Sequence, residues 1–498
     1  MPANTPNVGV STLFNPAAPS SVLIANMSVI GGVFTPGSDI NRTYFPADTP
    51  VLFRTSDPAA LTAIGTDATS TLYQTVNEII GAGVDATVIA VVPNILATDT
   101  PAQVLAKVVG IPSAWTGAWA LTKAQQETGV RPGLLIAPSF TALRPFGVTG
   151  VALAGCSGTG GGATITFLPA GATGNVVVTN GVFSVQMTSA GNYAPGTVVT
   201  ATLTNCGASA AATVQTGNYA NPVAAAFDTI CNKLNIAVAL CDAPSSSAAA
   251  AMTWAADFST SMNIIATGQG VTISAAGVPT LFDSAASIAA LIVTNDQNMG
   301  APYYNPGNHA MPGILGPSRS VEFNPSDPSC EANTMLQAGV NVIVNTATNR
   351  ISSSAPSGNT FWGFLNTYND PDWRMINVIR TRKAILDALP DALLKYTGQN
   401  LGVALVTVIV QSIQEFLNEL IALPVPALLP GATVTYDPNL NDPAGLRVGG
   451  LVLSANWAET PALLDLQIYT GGQPTSFTIL SDQIQAALTQ ANVSGTLN

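Results

Sequence analysis

NPVAAAFDTICNKLNIAVALCDAP, residues 221–244, sets a helix directly before a strand, and its reading decides the fold. Asn221 suits a helix N-cap and Pro222 the first helical position. The helix runs through AAAFDTICNKL into the apolar strand IAVALCDAP. Moving outward, the same alternation continues in both directions. C-terminally, SSAAAAMTWAADF reads as a helix, NIIATG as a strand and DSAASIAALIVTND (283–296) as a helix. N-terminally, PVLFRT (50–55) reads as a buried strand. STLYQTVNEIIGAG follows as a helix with Leu72, Val76 and Ile79 on one face, then ATVIAVVP (86–93) as a strand. That unit predicts parallel pairing of its two strands. Helical patterns recur at 101–109 and 113–128, and GLLIAPS (133–139) supplies another strand. The pattern predicts a layered α/β domain.

The texture changes between 150 and 216, where Gly-rich turns separate Val/Thr runs. In VVVTNGVFSV, Asn180-Gly181 between two strands is a strong hairpin signal. Because the α/β alternation resumes beyond it, this stretch reads as a small all-β domain inserted in a loop, where added length costs little. The last third offers the strand AGVNVIVN (338–345) and a helical region over 376–422 broken near Pro390 and Gly398. Strands follow at TVTY, GLRVGGLVLSA and ALLDLQIYT, with a final β-like run, SFTIL, in the polar tail.

The 498 residues allow two to four domains, and 47% hydrophobic content excludes wholesale disorder. With 15 basic against 27 acidic residues, the net charge of −12 opposes nucleic acid and anionic membranes. Only 8% of residues are charged, against about a quarter in ordinary soluble chains, which favours a surface covered by other protein. MPANTPNVGVSTLF has neither a basic n-region nor an apolar h-region, so no export leader is expected. LGVALVTVIV (401–410) is too short to span a bilayer. The five cysteines show no zinc spacing; Cys156 and Cys206 bracket the β stretch and could pair in an oxidising space.

Catalytic groups are scarce. His309, the single histidine, lies in the Pro/Gly loop NPGNHAMPG, and any Ser-His-Asp or Cys-His site would have to use it. GCSGT (155–159) fails the nucleophile-elbow pattern, and GTGGGA (158–163) closes no β-α turn. There is no phosphate-binding loop motif, and the acid pairs Asp370/Asp372 and Asp437/Asp442 neighbour prolines, as turn residues do. The reading is of a protein that is not an enzyme and takes no cofactor or metal.

One stretch stands apart: SGNTFWGFLNTYNDPDWRMINVIRTRKAILDAL, residues 357–389. Arg374, Arg380, Arg382 and Lys383 fall within ten residues, just after Trp362 and Trp373. Ile379, Leu386 and Leu389 suit a buried helical side; Arg380, Lys383 and Asp387 lie three and four apart on another. Two readings of that charged side stay open, a solvated face with Asp387 pairing Lys383 and a docking face for an acidic partner.

This stretch resembles the signature of contractile tail sheath proteins of bacteriophages and related injection machines. The matching residues are Trp362-Gly363, Thr367, Asp370-Pro371, Trp373-Arg374, Ile376-Asn377-Val378 and Arg380. Phe364 stands where the family carries Arg, and the basic pair is split as Arg380 and Arg382. FPADTPVLFRTSDPAALTAIGTDATSTLYQTVNEII, RPGLLIAPSF, FLNEL and YDPNLNDPAGLRVGGLVLSANWAETPALLDLQI resemble further family segments in the same order. The likeness covers nearly everything except 150–216.

The resemblance implies a structural, mechanical subunit. It would form a homo-oligomer of stacked six-fold rings around an inner tail tube protein, with baseplate and tail terminator proteins as further partners. No nucleic acid would be bound and no membrane entered directly. The particle's tail would be its site, assembled in the bacterial host cytoplasm. The family's middle domain is subtilisin-like, which here gives an α/β middle domain over 49–149 and 217–300, interrupted by the β insert 150–216. An α+β core would combine 21–48 with 301–473. The terminal arms, 1–20 and 474–498, would exchange strands between subunits through Val8, Val10, Leu13 and Phe14 at one end and Phe477, Ile479 and Leu480 at the other. Arg374, Arg380, Arg382 and Lys383 are then candidates for docking on the tube or a neighbouring subunit. Two alternatives remain, an adhesin or decoration protein acting through the β insert and an α/β hydrolase using His309.

Overall fold

The computed structural model describes residues 22–157, 162–207, 209–273, 279–346, 358–471, 473 and 475–495. Val8, Val10, Leu13 and Phe14 of the expected N-terminal arm lie outside these residues. So do most of GTGGGA and the end of GCSGT. The chain divides into a large unit ending at Ala462 and a small unit from Leu463 onward.

The large unit is organised by a nine-stranded sheet: β1 (Ile30–Val33), β2 (Val51–Arg54), β3 (Thr87–Val91), β4 (Leu134–Ile136), β5 (Val238–Asp242), β6 (Asn263–Thr267), β7 (His309–Ala310), β8 (Val340–Asn345) and β9 (Asn359–Trp362). Their spatial order is β7-β9-β8-β6-β5-β4-β1-β3-β2. The six central strands, from β8 to β3, run parallel. Parallel strands are covered on both faces, which is why these segments are apolar at nearly every position. The two-residue pleat separates the faces. Ile89, Val91, Leu135, Ala239 and Cys241 enter one core, while Val88, Ala90, Leu134, Ile136, Val238 and Leu240 enter the other.

The principal helices are α1 (Pro58–Ile64), α2 (Thr71–Gly81), α3 (Pro222–Leu234), α4 (Ser284–Met299), α5 (Ile376–Leu393), α6 (Val403–Ile421) and α7 (Thr475–Gly495). Phe227 and Ile230 of α3 cover the first face, joined by Trp254. Leu72, Val76 and Ile79 of α2 cover the second with Ile288 and Ile292 of α4. The layered α/β expectation is met, and α3 starts as the sequence dictates. Asn221 Oδ1 accepts from the amides of Val223 and Ala224, with Pro222 at the first position.

Several local expectations are corrected. β2 pairs antiparallel with β3. Two helices, α1 and α2, separate these strands in the chain, not the single helix that the expectation of parallel pairing assumed. The 113–128 helix is a short 3-10 turn, Gly117–Lys123, followed by Ala124–Thr128. α5 continues through Pro390, so no break falls there; the expected break near Gly398 is present, the chain leaving the helix between Leu394 and Gly402 with Gly398 at a positive φ of 86°. The apolar run at 401–410 belongs to a 19-residue helix, α6, long and apolar enough by length and composition to cross a membrane. Its Ile413, Phe416, Leu417 and Leu420 pack on Ala384, Ile385 and Ala388 of α5 in a third core. The main sheet takes strands from both sides of positions 48/49 and 300/301.

Between β4 and α3, strands Phe146–Ala154 and Ala211–Asn218 pair antiparallel, with Phe146 opposite Asn218, so the segment leaves and returns at one place. It carries a four-stranded sheet containing the expected hairpin, Val178 opposite Phe183 and Thr179 opposite Val182. Asn180 and Gly181 both have positive φ, 52° and 80°, as a two-residue hairpin turn requires.

GLRVGGLVLSA forms the short helix Pro443–Arg447 and the strand Ser454–Asn456 instead of one strand. ALLDLQIYT carries no strand assignment over its length. A strand exists only where a partner supplies the ladder. In the small unit the expected strand at 474–480 is instead the start of α7, with Phe477, Ile479 and Leu480 exposed. Phe477, Leu480, Ile484 and Leu488 recur every three or four residues, the helical period that outweighs the local β preference of SFTIL.

Candidate functional site

The signature stretch is built from β9 outward. Trp362 donates from Nε1 to Asn333 Oδ1 at 3.0 Å and stacks edge-on against Phe323 and Phe364. Gly363 has no room for a side chain, since a Cβ would meet the buried Phe361 ring at 2.2 Å. The loop that follows is stitched shut by Asn366. Its amide nitrogen donates to the Arg374 carbonyl at 2.9 Å and its Nδ2 to that of Trp373 at 2.9 Å. Within the loop, Asp370 accepts from the Asp372 amide at 3.0 Å, with Pro371 opening a single 3-10 turn. Asn377 then ties α5 to the end of the large unit, donating to the Thr460 carbonyl at 2.9 Å.

Arg380 and Lys383 are buried, which corrects the expected docking face for those two, while Arg374 and Arg382 are half-buried. Arg380 is fully buried and clamps Asp296 of α4 with two bonds, 2.9 and 2.5 Å; Ser28 Oγ adds a third to the same carboxylate at 2.6 Å. Arg382 forks onto Glu459 at 2.5 and 2.7 Å. Its guanidinium lies over Trp373 at 4.2 Å and Trp457 at 5.5 Å, stacking that a planar cation favours. Lys383 donates to the carbonyls of Asn235 at 3.0 Å and Cys231 at 3.4 Å, so a cation sits on the C-terminal end of α3, where the helix dipole is negative. Burial pulls the Lys383 ammonium below its usual range. Arg374 bonds the Gln337 carbonyl.

Asp387 does not pair with Lys383. It is held by Arg131, just before β4, through bonds of 2.5 and 2.7 Å. Burial extends around most of α5 and takes in Arg380, Lys383 and Asp387 with the apolar Ile376, Ile379, Ala384, Ile385 and Ala388, while Leu386, expected inside, is 45% exposed. The result is an ionic hub. One helix grips α4, the end of α3, the approach to β4 and the Trp457–Thr460 segment, while its two ends enter two different hydrophobic cores. Neutral apolar contacts alone would hold these elements without fixing their register; forked ion pairs impose geometry. No local pattern pointed to the partners, which lie 77 to 256 residues away.

Other candidates resolve as structure. His309 is exposed on the edge strand β7, with Nδ1 against the carbonyls of Gly307 (2.9 Å) and Pro306 (3.2 Å). Asp242, at the end of β5, accepts from Ser284 Oγ at 2.8 Å and the Ala285 amide at 2.9 Å, capping α4 from the sheet. Burial, with nearby Asp283, pushes its carboxyl up to about 8, and burial raises Glu78 as well. Between about pH 4 and pH 8 the folded state therefore holds protons that the unfolded chain releases. Stability is present at the acid end and falls as pH rises, by about 1.4 kcal/mol per pH unit for each proton. Urea midpoints should decline from pH 5 to pH 8, and Asp242→Asn, which keeps the accepting oxygen, should flatten that decline.

No family model matches the chain. It is 25% identical over 244 residues, 48% of this chain, to the putative prophage major tail sheath protein of Pseudomonas aeruginosa (strain UCBPP-PA14). The chain spans 58% of that relative's length. Among solved structures it is similar to a chain of the PVC sheath complex of an extracellular contractile injection system in the contracted state, with a TM-score of 0.56 at 13% identity over 95% of this chain and 99% of that one. The helical sheath of the anti-feeding prophage in its contracted state gives 0.53 at 14% identity, and a chain of that prophage's six-fold symmetrised baseplate 0.54 at 14%; each covers 94% of this chain and all of the other. In sequence over about half its length, and in fold over nearly all of it, the chain is similar to contractile tail sheath proteins.

Proposed function

We propose that this chain is the structural subunit of a contractile sheath, polymerising as stacked six-fold rings around an inner tube and contracting to drive that tube into a target envelope. The observation that supports this most is the coextensive fold: 94–95% of the chain superposes on 99–100% of sheath and baseplate chains. Sequence similarity to a tail sheath protein points the same way. In this reading the body is a rigid module, locked by the α5 hub, and its copies move as units. The α/β layers, subtilisin-like in the family, act as a scaffold and not as a catalyst.

The joints between copies are the chain ends. The small unit exposes Leu463, Leu464, Leu466, Ile468 and Tyr469 before α7, and Phe477, Ile479, Leu480, Ile484 and Leu488 within it, against two charges, Asp465 and Asp482. Ten large apolar side chains left to water in so short a segment mark a surface meant for protein. The alternation of Leu464, Leu466 and Ile468 suits a strand added to a neighbour's sheet, and Val8, Val10, Leu13 and Phe14 are proposed to serve the same purpose at the other end. Baseplate and terminator proteins would cap the ends of the stack. The β segment, entering and leaving at one point, is placed outward, clear of the packing faces. Negative-stain microscopy of the purified protein tests the reading. Striated tubes or stacked rings are expected, and a field of discrete monomers or trimers at all concentrations would overturn it.

A further inference from the structure

Two of the five cysteines meet. Cys156 Sγ and Cys206 Sγ lie 3.0 Å apart, whereas Cys231 of α3, Cys241 and Cys330 are buried together in one hydrophobic core. The backbone holds the pair in place. Cys156 follows the strand Phe146–Ala154, Cys206 follows the strand Thr200–Thr204, and the Ser157 amide donates to the Cys206 carbonyl at 2.8 Å. Ser209 Oγ adds a bond to the Gly155 carbonyl at 3.4 Å. The sulfurs need to approach by only about 1 Å to reach bonding distance. Cys156 is half-buried and so reachable, while Cys206 is buried behind it, an arrangement that suits an attacking and a resolving thiol.

We propose that Cys156 and Cys206 are a redox modification site, closing to a disulfide by exchange with a small-molecule disulfide and thereby pinning the β segment. The Cys156 thiolate attacks one sulfur of the small disulfide and expels one thiol, leaving a mixed disulfide on Cys156. The Cys206 thiolate then attacks Cys156 Sγ and expels the second thiol. Two protein thiols are oxidised, one disulfide is reduced to two thiols, and two protons pass to solvent and the leaving thiolates.

The bond would add a covalent tie between two sheets that share one small hydrophobic core. Strand Phe146–Ala154 belongs to the two-stranded ladder with Ala211–Asn218, and Thr200–Thr204 to the four-stranded sheet through Thr164–Leu168. Cross-linking residues 50 apart removes open conformations of everything between them. The reaction should be slow at neutral pH, since the hydrogen bond to Cys206 pushes the Cys156 thiol up to about 11. Its rate should therefore rise about tenfold per pH unit from pH 7 to pH 9. This chemistry is independent of the chain's role in any assembly.

The test uses the full-length protein and oxidised glutathione, with thiols counted by alkylation and mass spectrometry. Two of five thiols should be lost, with a linked peptide containing Cys156 and Cys206. Cys206→Ser should stop at a stable glutathione adduct on Cys156, which separates failure of the chemistry from failure to fold. In the oxidised protein, proteolysis between 157 and 205 should slow by about tenfold or more, and a reductant should restore the original rate. Persistence of all five thiols at pH 9, a stable adduct on Cys156 in the wild type, or linkage through Cys231, Cys241 or Cys330 would each overturn the proposal.

Discussion

Replacing Arg380 with Met should destabilise the large unit by about 3–5 kcal/mol, the largest effect expected from any single substitution in α5. The cause lies in what remains. Asp296 would be left charged and almost fully buried, with Ser28 as its remaining hydrogen-bond donor, and an unpaired buried carboxylate costs far more than the pair contributes. The double variant Arg380→Met/Asp296→Leu should recover most of the loss, because it removes both charges and fills the space with apolar atoms. Urea unfolding followed by tryptophan fluorescence reads the effect, with Trp254 and Trp373 reporting on the sheet and on the hub. Equal destabilisation in the single and double variants would show that the pair supplies net binding and not only mutual neutralisation. Loss of less than about 1 kcal/mol in the single variant, the value of an exposed pair, would mean that Arg380 is not buried as described.

Removing residues 463–498 should leave a folded, soluble large unit that no longer polymerises. The hub and three of the hydrophobic cores end before Ala462, so the body keeps its packing. What is lost is a segment whose exposed apolar side chains are worth roughly 1.5–3 kcal/mol each on full burial. Losing even three of them raises the concentration needed for assembly by about 10³-fold or more. Point variants divide the roles. Leu466→Asp with Ile468→Asp strikes the alternating segment, and Phe477→Asp with Leu480→Asp strikes the stripe of α7. Pelleting assays at matched concentrations compare them. Assembly that persists undiminished in the truncated chain would place the joints elsewhere.

The middle of the fold was legible because parallel strands buried on both faces have little freedom in sequence. IAVALC, VIAVV and LLIA could hardly be anything else, and Asn221-Pro222 and Asn180-Gly181 each carry their own local geometry. What failed depended on distant partners or on short elements. β2 runs antiparallel to its neighbour, and the seven-residue helix α1 that follows it was too short to show a clear period in the sequence. The basic cluster was legible as unusual, yet its purpose was not. Helical spacing left a solvent face open for Arg380 and Lys383, whereas Asp296 and Asn235 draw them inside from 84 and 148 residues away. A chain holding 15 cations has few to leave idle, and that scarcity was the available clue. The tail failed for a different reason. ALLDLQIYT has the pattern of a strand but no ladder within one copy, and SFTIL has β-prone residues set in a helical stripe.

A helical reconstruction of the assembled protein by electron cryomicroscopy tests the mechanical account most directly, through the position of residues 463–498. The account predicts that each copy's segment lies on an adjacent copy, with the Arg380–Asp296 and Arg382–Glu459 pairs intact inside every body. Density showing the segment folded back on its own body, in a particle without contacts between copies, would contradict it.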